Sequence, residues 1–238
     1  MKYLSKFDNF INEAYLYSYV VSSIFKKLKI DLSTLEKLGE GDNGVAYRHG
    51  DKTIKITTDT LEAEFFGVIK GHKLEKVSNC YEVYEYDCEE GEDNKKYSGF
   101  CSRARYYWVI IKDYIPYQFS GDYLYGDCLR YFDSYVEKNF NFTSEEFDKM
   151  IDEYRSNRIE DMKDDPDYDV DEDYELENEL DWFIFFKELH MELQPLGIKS
   201  VCDMKSSNMG RKEDGGVVFL ELHIFRDGGY KEPVFTKL

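Results

Sequence analysis

The sequence lacks the features that mark several large classes of protein. Its 238 residues contain no cluster of Lys and Arg of the kind that follows a nucleic-acid backbone, so no nucleic-acid partner is expected. The five cysteines form no Cys-x-x-Cys pair and the four histidines are scattered, which argues against a disulfide framework and a zinc site. A reducing, cytoplasmic compartment is the expectation.

Long apolar runs are also missing. The longest apolar stretch near the start, residues 14–25, is short, rich in tyrosine and preceded by Asp8 and Glu13. It fits neither a signal peptide nor a membrane span, so no membrane partner is expected. Only 4 prolines and an apolar fraction of 42% indicate a chain that folds into a globular core.

Negative charge is abundant but unevenly placed. Residues 144–181 contain 18 acidic and 4 basic side chains, a net charge of −14 out of −18 for the whole chain. Within this segment, the composition of residues 161–173 predicts a solvated loop or a disordered insert. The acidic segment is therefore either a solubilising insert or a docking surface for basic proteins.

Apolar periodicity and turn residues predict mixed secondary structure. Helices are expected over residues 1–29, 60–70, 144–158 and 176–193. Strands are expected in 35–57, with a turn at His49–Lys52, and over 77–87, 106–115 and 217–222. Residues 118–142 are expected to be irregular. His190 is predicted to be a half-buried structural histidine and not a catalytic base.

Three glycines, Gly39, Gly41 and Gly44, have the spacing of a phosphate-binding loop. The dinucleotide-binding fingerprint has the same spacing, but it places its glycines between a strand and a helix. Here they stand between two predicted strands. A side chain at these positions would block the close approach of a ligand to the backbone.

Lys55 follows the glycines on the next predicted strand, and acidic residues follow it on the next predicted helix. Glu64 is the first choice for an ion pair with Lys55 and Glu62 is the second. Both cannot face Lys55, because residues two positions apart lie on different sides of a helix.

Near the end, Asp203, Lys205 and Asn208 follow a long predicted helix in the segment GIKSVCDMKSSNMG, and Glu221 ends a strand in VVFLEL. Together with the glycine loop and Lys55, these residues resemble the motifs of the protein-kinase-like superfamily over roughly residues 35–225. The resemblance implies an α+β, two-lobed fold that binds ATP and Mg²⁺ between the lobes. It implies an antiparallel-sheet N-lobe over residues 31–117 and a truncated, mainly helical C-lobe over 118–238, with a helical segment at 1–30 and the acidic insert at about 144–178.

The resemblance also implies roles. The glycines would cover the nucleotide phosphates, Lys55 would contact them and Glu64 would pair with Lys55. Asp203 would orient the substrate hydroxyl, Lys205 would steady the γ-phosphate, and Asn208 and Glu221 would bind magnesium. The catalytic residues would thus be Asp203, Lys205 and Lys55.

Three departures from the family leave two functions open. Val201 and Cys202 replace the usual His and Arg, Glu221 replaces an Asp, and the 17 residues after Glu221 are too few for a substrate platform. One function is transfer of the γ-phosphate to a protein hydroxyl of the Ser/Thr type or to a small molecule. The alternative is a pseudokinase that acts as a binding module for a host or virion protein.

The first residues carry a second resemblance. MKYLSKFDNFINEA is similar to the capsid-targeting peptides of some large tailed phages, in which a protease cuts after an Ile/Leu-x-Glu tripeptide. Ile11-Asn12-Glu13 followed by Ala14 fits that pattern. This similarity implies a phage protein that acts in the host cytoplasm or is packaged in a virion; the plain alternative is an N-terminal helix packed on the domain.

Overall fold

The computed structural model describes residues 20–41, 43–87, 106–119, 143–164, 170–198, 201–202, 204–224 and 230–238. The chain divides into two compact units. The first unit comprises residues 1–72, 79–114 and 232–238, and the second comprises 73–78 and 115–231. Residues 232–238, which the sequence analysis placed in the C-terminal part, thus belong with the N-terminal unit. Among the described helices, none is long and apolar enough to cross a bilayer.

Four helices and eleven strands are described. The helices are α1 over residues 20–28, α2 (Thr60–Ile69), α3 (Ser144–Asp164) and α4 (Val170–Leu193). The strands of the first unit are β1 (Glu36–Glu40), β2 (Gly44–His49), β3 (Lys52–Thr57), β4 (Cys80–Asp87), β5 (Tyr106–Asp113) and β11 (Thr236–Lys237). Those of the second are β6 (Tyr117–Gln118), β7 (Val201–Cys202), β8 (Met209–Arg211), β9 (Val217–Phe219) and β10 (His223–Ile224).

One six-stranded sheet organises the first unit, in the order β1-β2-β3-β5-β4-β11. Every neighbouring pair is antiparallel except β4 with β11. The strands predicted in 35–57, 77–87 and 106–115 are all present. The chain is therefore of mixed α and β structure with a mainly antiparallel sheet, which agrees with the predicted α+β class.

Alternation along β3 assigns a helix to each face of this sheet. Ile54 and Ile56 are buried in the cluster that contains Val20, Ile24 and Phe25 of α1. Lys55 lies between them in sequence and forms an ion pair with α2. Successive strand residues point to opposite faces, so α1 covers one face and α2 covers the other.

The hairpin between β2 and β3 has the shortest possible loop. His49 pairs with Lys52, so only Gly50 and Asp51 make the turn. Gly50 has φ 61°, a conformation that glycine adopts at little cost. The predicted turn at His49–Lys52 is confirmed.

In the second unit, α3 and α4 pack together through polar and apolar contacts. Leu176 and Leu180 are buried against Ile151, Tyr154 and Ile159. Glu179 accepts hydrogen bonds from Tyr154 Oη at 2.8 Å and from Arg158 Nε and an Arg158 terminal nitrogen at 3.3 Å each. These bonds to Glu179 raise the pKa of the Arg158 guanidinium above its usual value. A second pair, Arg155 with Glu177, lies in solvent.

The prediction for the acidic residues 161–173 agrees only in part with the structure. Residues 161–164 belong to α3 and residues 170–173 to α4, so the predicted loop or insert over 161–173 is wrong at both ends. Residues 165–169 lie outside the described part, as do 120–142 of the predicted irregular segment.

His190 on α4 is buried, with its ring 5.2 Å from that of Phe147. Loss of hydration lowers the pKa of His190 below 6.5, because burial disfavours the charged imidazolium. The prediction of a structural histidine agrees with this environment.

We expect the folded chain to lose stability as the pH falls below 6.5. There the unfolded chain takes up a proton at His190 that the folded chain resists, so acid favours unfolding. Comparison of melting temperatures at pH 7 and pH 5.5 should show a smaller acid-induced drop for His190→Phe than for the wild type. His72→Gln, at an exposed position, serves as the control and should leave the drop unchanged. Equal drops in melting temperature for the wild type and His190→Phe would contradict the lowered pKa of His190.

Candidate functional site

The glycine hairpin lies between β1 and β2. Gly41 N–H donates to the Gly44 carbonyl at 2.9 Å, which closes the turn. A Cβ on Gly39 or Gly41 would meet no atom within 4 Å, whereas one on Gly44 would lie 2.6 Å from the Ile56 carbonyl oxygen. Gly44 is therefore required by packing of β2 on β3, which the sequence argument did not foresee. Gly39 and Gly41 leave open space beside the backbone.

Lys55 stands in the middle of the sheet, between Ala46 on β2 and Ile110 on β5. Its Nζ lies 2.8 Å from Oε1 of Glu62 on α2. The side chain of Glu62 is 0% exposed and that of Lys55 is 12% exposed. Burial of a carboxylate is costly unless a cation offsets it, and Lys55 supplies that cation.

The ranking of the two acids in the sequence analysis is corrected, since the structure pairs Lys55 with Glu62. The apolar periodicity of α2 contains the signal that would have found it. Glu62 precedes the buried Phe66 and Ile69 by one and two turns, so it shares their helix face. Glu64, the first choice, is only partly buried and lies about 200° away around the helix.

The start of α2 supports this carboxylate. Asp59 caps the helix by accepting hydrogen bonds from the N–H groups of Leu61 and Glu62 at 2.9 and 3.1 Å. Glu62 therefore sits in the first turn, where the helix dipole favours negative charge.

The same helix start is tied to the glycine hairpin through Asn43. The Asn43 carbonyl accepts from Thr58 N–H at 2.9 Å and from Thr57 Oγ1 at 3.0 Å. The Asn43 side-chain amide donates to Asp59 at 3.4 Å. The glycine hairpin, the strand lysine and the helix acid thus form one connected structure within the first unit.

The second unit brings Asn208 close to Glu221, which lies two residues beyond β9, because the strand predicted over 217–222 ends at Phe219. Asn208 is the last residue of a 3₁₀ turn (Ser206–Asn208), and its N–H donates to the Lys205 carbonyl at 2.9 Å. β8 then pairs with β9, and Leu220 N–H donates to the Asn208 carbonyl at 2.7 Å. Glu221 is the next residue. Asn208 and Glu221 are partly exposed and Lys205 is exposed.

Glu221 has a neighbour that the sequence analysis did not consider. Its Oε1 lies 4.0 Å from Nε2 of His223, and His223 pairs with Cys202 in the β7–β10 ladder. Asp203 follows Cys202 directly but lies outside the described residues, as does the tripeptide Ile11–Glu13. Across the described ranges, no group of three His, Cys, Asp or Glu side chains is arranged to hold a metal ion.

A further polar cluster lies in the first unit around Asp113 at the end of β5. Its carboxylate accepts hydrogen bonds from Asn79 at 2.7 Å, from Lys52 at 3.3 Å and from the Tyr81 hydroxyl. Burial alone would raise the pKa of Asp113, but the hydrogen bonds from Tyr81, Asn79 and Lys52 outweigh it and lower that pKa. The bonds from Lys52 and Tyr81 link β3 and β4 to the end of β5.

Comparison with known proteins adds no family to these observations. No protein-family model matches the chain, and no curated protein matches it. The interpretation of the site therefore depends on its own residues.

Proposed function

We propose that this protein binds ATP with magnesium and transfers the γ-phosphate to a protein hydroxyl of the Ser/Thr type. The observation that carries the proposal is the buried ion pair between Lys55 and Glu62. In protein kinases a strand lysine and a helix glutamate must pair before the lysine can contact the nucleotide phosphates. A fully buried glutamate beside a partly exposed lysine is costly to maintain for packing alone.

The hairpin glycines suit the same role. Open space beside Gly39 and Gly41 would let phosphate oxygens approach the backbone of the hairpin closely, although the Gly41 N–H itself donates to the Gly44 carbonyl. Phosphoryl transfer depends mainly on positioning and on neutralising charge. Lys55 and Lys205 would supply positive charge, and Asp203 would orient the acceptor hydroxyl.

Asn208 and Glu221 are suited to magnesium by their chemistry. An amide oxygen and a carboxylate are hard ligands of the kind that Mg²⁺ prefers. The hydrogen bond from the Leu220 N–H to the Asn208 carbonyl holds the backbone before Glu221 next to that of Asn208. When bound, Mg²⁺ would neutralise charge on the phosphates. Both side chains are partly exposed, which leaves room for the water ligands that Mg²⁺ usually keeps.

The second candidate function is that of a pseudokinase, and Glu221 is the observation that favours it. Glutamate extends one methylene further than aspartate, and Mg²⁺ demands near-ideal octahedral geometry. His223, with Nε2 4.0 Å from the same carboxylate, would compete with the metal for it. A pseudokinase would act as a binding module for a host or virion protein.

A titration with ATP, in the presence and absence of Mg²⁺, tests the proposal. At ATP concentrations about 100-fold above Kd, binding should raise the melting temperature by about 5–10 °C. Glu221→Gln should lose the magnesium-dependent part of that rise and keep the rest. Asp214→Asn, in an exposed turn, is the matched control.

The activity needs a separate measurement. Wild-type protein incubated with γ-labelled ATP should label itself or a protein from a host lysate, and Asp203→Asn should label at least ~100-fold less with an unchanged ATP-dependent melting shift. An ATP response without any labelling would favour the pseudokinase. No ATP response under either condition would overturn the proposed phosphotransferase and would favour a protein-binding module that does not use nucleotide.

A further inference from the structure

Residues 233–238 lie along one side of the first unit and touch three of its elements. The first element is the sheet edge. Thr236 pairs with Tyr84 and Lys237 with Glu85, in parallel, and Leu238 N–H donates to the Glu85 carbonyl at 2.9 Å.

The second element is α2. Because Gly67 has no side chain, the surface of α2 has a gap at this position, which is called the notch below. A Cβ on Gly67 would lie 2.8 Å from the Phe235 ring and 2.8 Å from Pro233. Glycine is among the poorest helix formers, and Gly67 lies inside α2. Because no other side chain would leave room for Phe235 and Pro233, their contact explains the glycine.

The third element is α1, on the opposite face of the sheet. Leu238 packs against the buried cluster that α1 forms with the sheet. Lys27 on α1 donates from Nζ to the Leu238 carbonyl oxygen at 2.9 Å. The segment therefore reaches from α2, around the edge of β4, to α1.

Few buried contacts hold residues 233–238 in place, although these residues touch three elements. Val234, Thr236 and Lys237 are exposed, and Pro233, Phe235 and Leu238 are only partly buried. Its ladder with β4 spans two residue pairs. Few buried contacts and exposed backbone hydrogen bonds are typical of a segment that opens without global unfolding.

We propose that residues 233–238 form a releasable strap that holds α2 against the sheet and so keeps Glu62 beside Lys55. Glu62 lies about one and a half turns before Gly67 on the same helix, so a shift of α2 at the notch moves the acid as well. With the strap docked the ion pair is made, and with the strap released α2 loosens. The proposal depends only on contacts within the first unit and does not require that the protein bind ATP.

Hydrogen exchange on the full chain and on a variant truncated after Glu232 tests the strap. Truncation should speed exchange of the amides in α2 by about tenfold or more and leave the β2–β3 hairpin unchanged. A synthetic peptide of residues 232–238 should restore protection of α2 in a dose-dependent manner. The same peptide with Phe235→Ala should restore little.

A second variant keeps the test decisive if the truncated chain does not fold. Gly67→Ala favours the helix itself but places a methyl group where Pro233 and Phe235 lie, so the Leu238 amide, which donates to the Glu85 carbonyl, should exchange about tenfold faster. Unchanged exchange at α2 after truncation, equal rescue by both peptides, or unchanged protection of the Leu238 amide in Gly67→Ala would each overturn the proposal.

Discussion

Lys55→Met should lower the free energy of unfolding by about 3–5 kcal/mol, because it leaves the Glu62 carboxylate buried without its cation. Glu62 is 0% exposed and forms an ion pair with Lys55 Nζ at 2.8 Å. Methionine keeps most of the length of the lysine side chain, so the loss reports the charge more than the volume. Urea unfolding followed by circular dichroism measures the difference.

A double variant separates the ion pair from the packing. In Lys55→Met with Glu62→Leu both charges are gone, and replacement of a buried pair by apolar side chains is often neutral or stabilising. We expect the double variant to recover most of the stability and to lose the ATP-dependent melting shift. Glu64→Ala, on another face of α2, should cost less than about 0.5 kcal/mol. A stable Lys55→Met protein would contradict the buried pair.

Glu179→Ala should destabilise the α3–α4 hairpin by about 2–3 kcal/mol, the cost of removing hydrogen bonds to a charged group. Glu179 is 5% exposed and binds Arg158, while Tyr154 donates to the same carboxylate. Chemical unfolding monitored by the helical signal at 222 nm should show the loss.

The chain contains a matched control for this variant. Glu177→Ala removes a carboxylate of the same helix that pairs with Arg155, but Glu177 is 68% exposed. Exposed ion pairs contribute 0–1 kcal/mol, so the change should be small. Equal losses for the two variants would show that burial does not set the strength of these pairs.

The sheet of the first unit could be predicted well because its signals are local. Alternating apolar residues in β3 and β5 and the turn at Gly50 each specify their own segment. The edge strand β11 could not be predicted, since Thr236–Lys237 carries no periodicity of its own. It becomes a strand only because β4 leaves an edge open beside it.

The acidic helices α3 and α4 show how composition alone can lead to a wrong prediction of secondary structure. A run with little apolar content predicts disorder, yet the described ends of residues 161–173 are helical. Apolar residues further along, such as Leu176 and Leu180, pack on α3 and extend the helix into the charged run. That packing links residues far apart in sequence, so no local window contains it.

The structure bears on one pair of the predicted site residues. Lys55 does pair with an acid on the next helix, while the metal-binding roles of Asn208 and Glu221 stay predictions that follow from the resemblance. The choice between Glu62 and Glu64 required the direction of α2 relative to β3. That direction is set by buried residues such as Phe66, whose ring lies under Lys112, and not by the acids themselves.

The first unit is built from stretches of chain that are far apart in sequence, and this arrangement determines the order in which it can assemble. β11 joins β4 only after the whole of the second unit has been synthesised. Until then a nascent chain on the ribosome exposes the outer edge of β4, and unpaired strand edges invite pairing with other chains. Aggregation during synthesis should therefore depend on how quickly the second unit is completed, and a slow stretch of translation there would prolong the exposure.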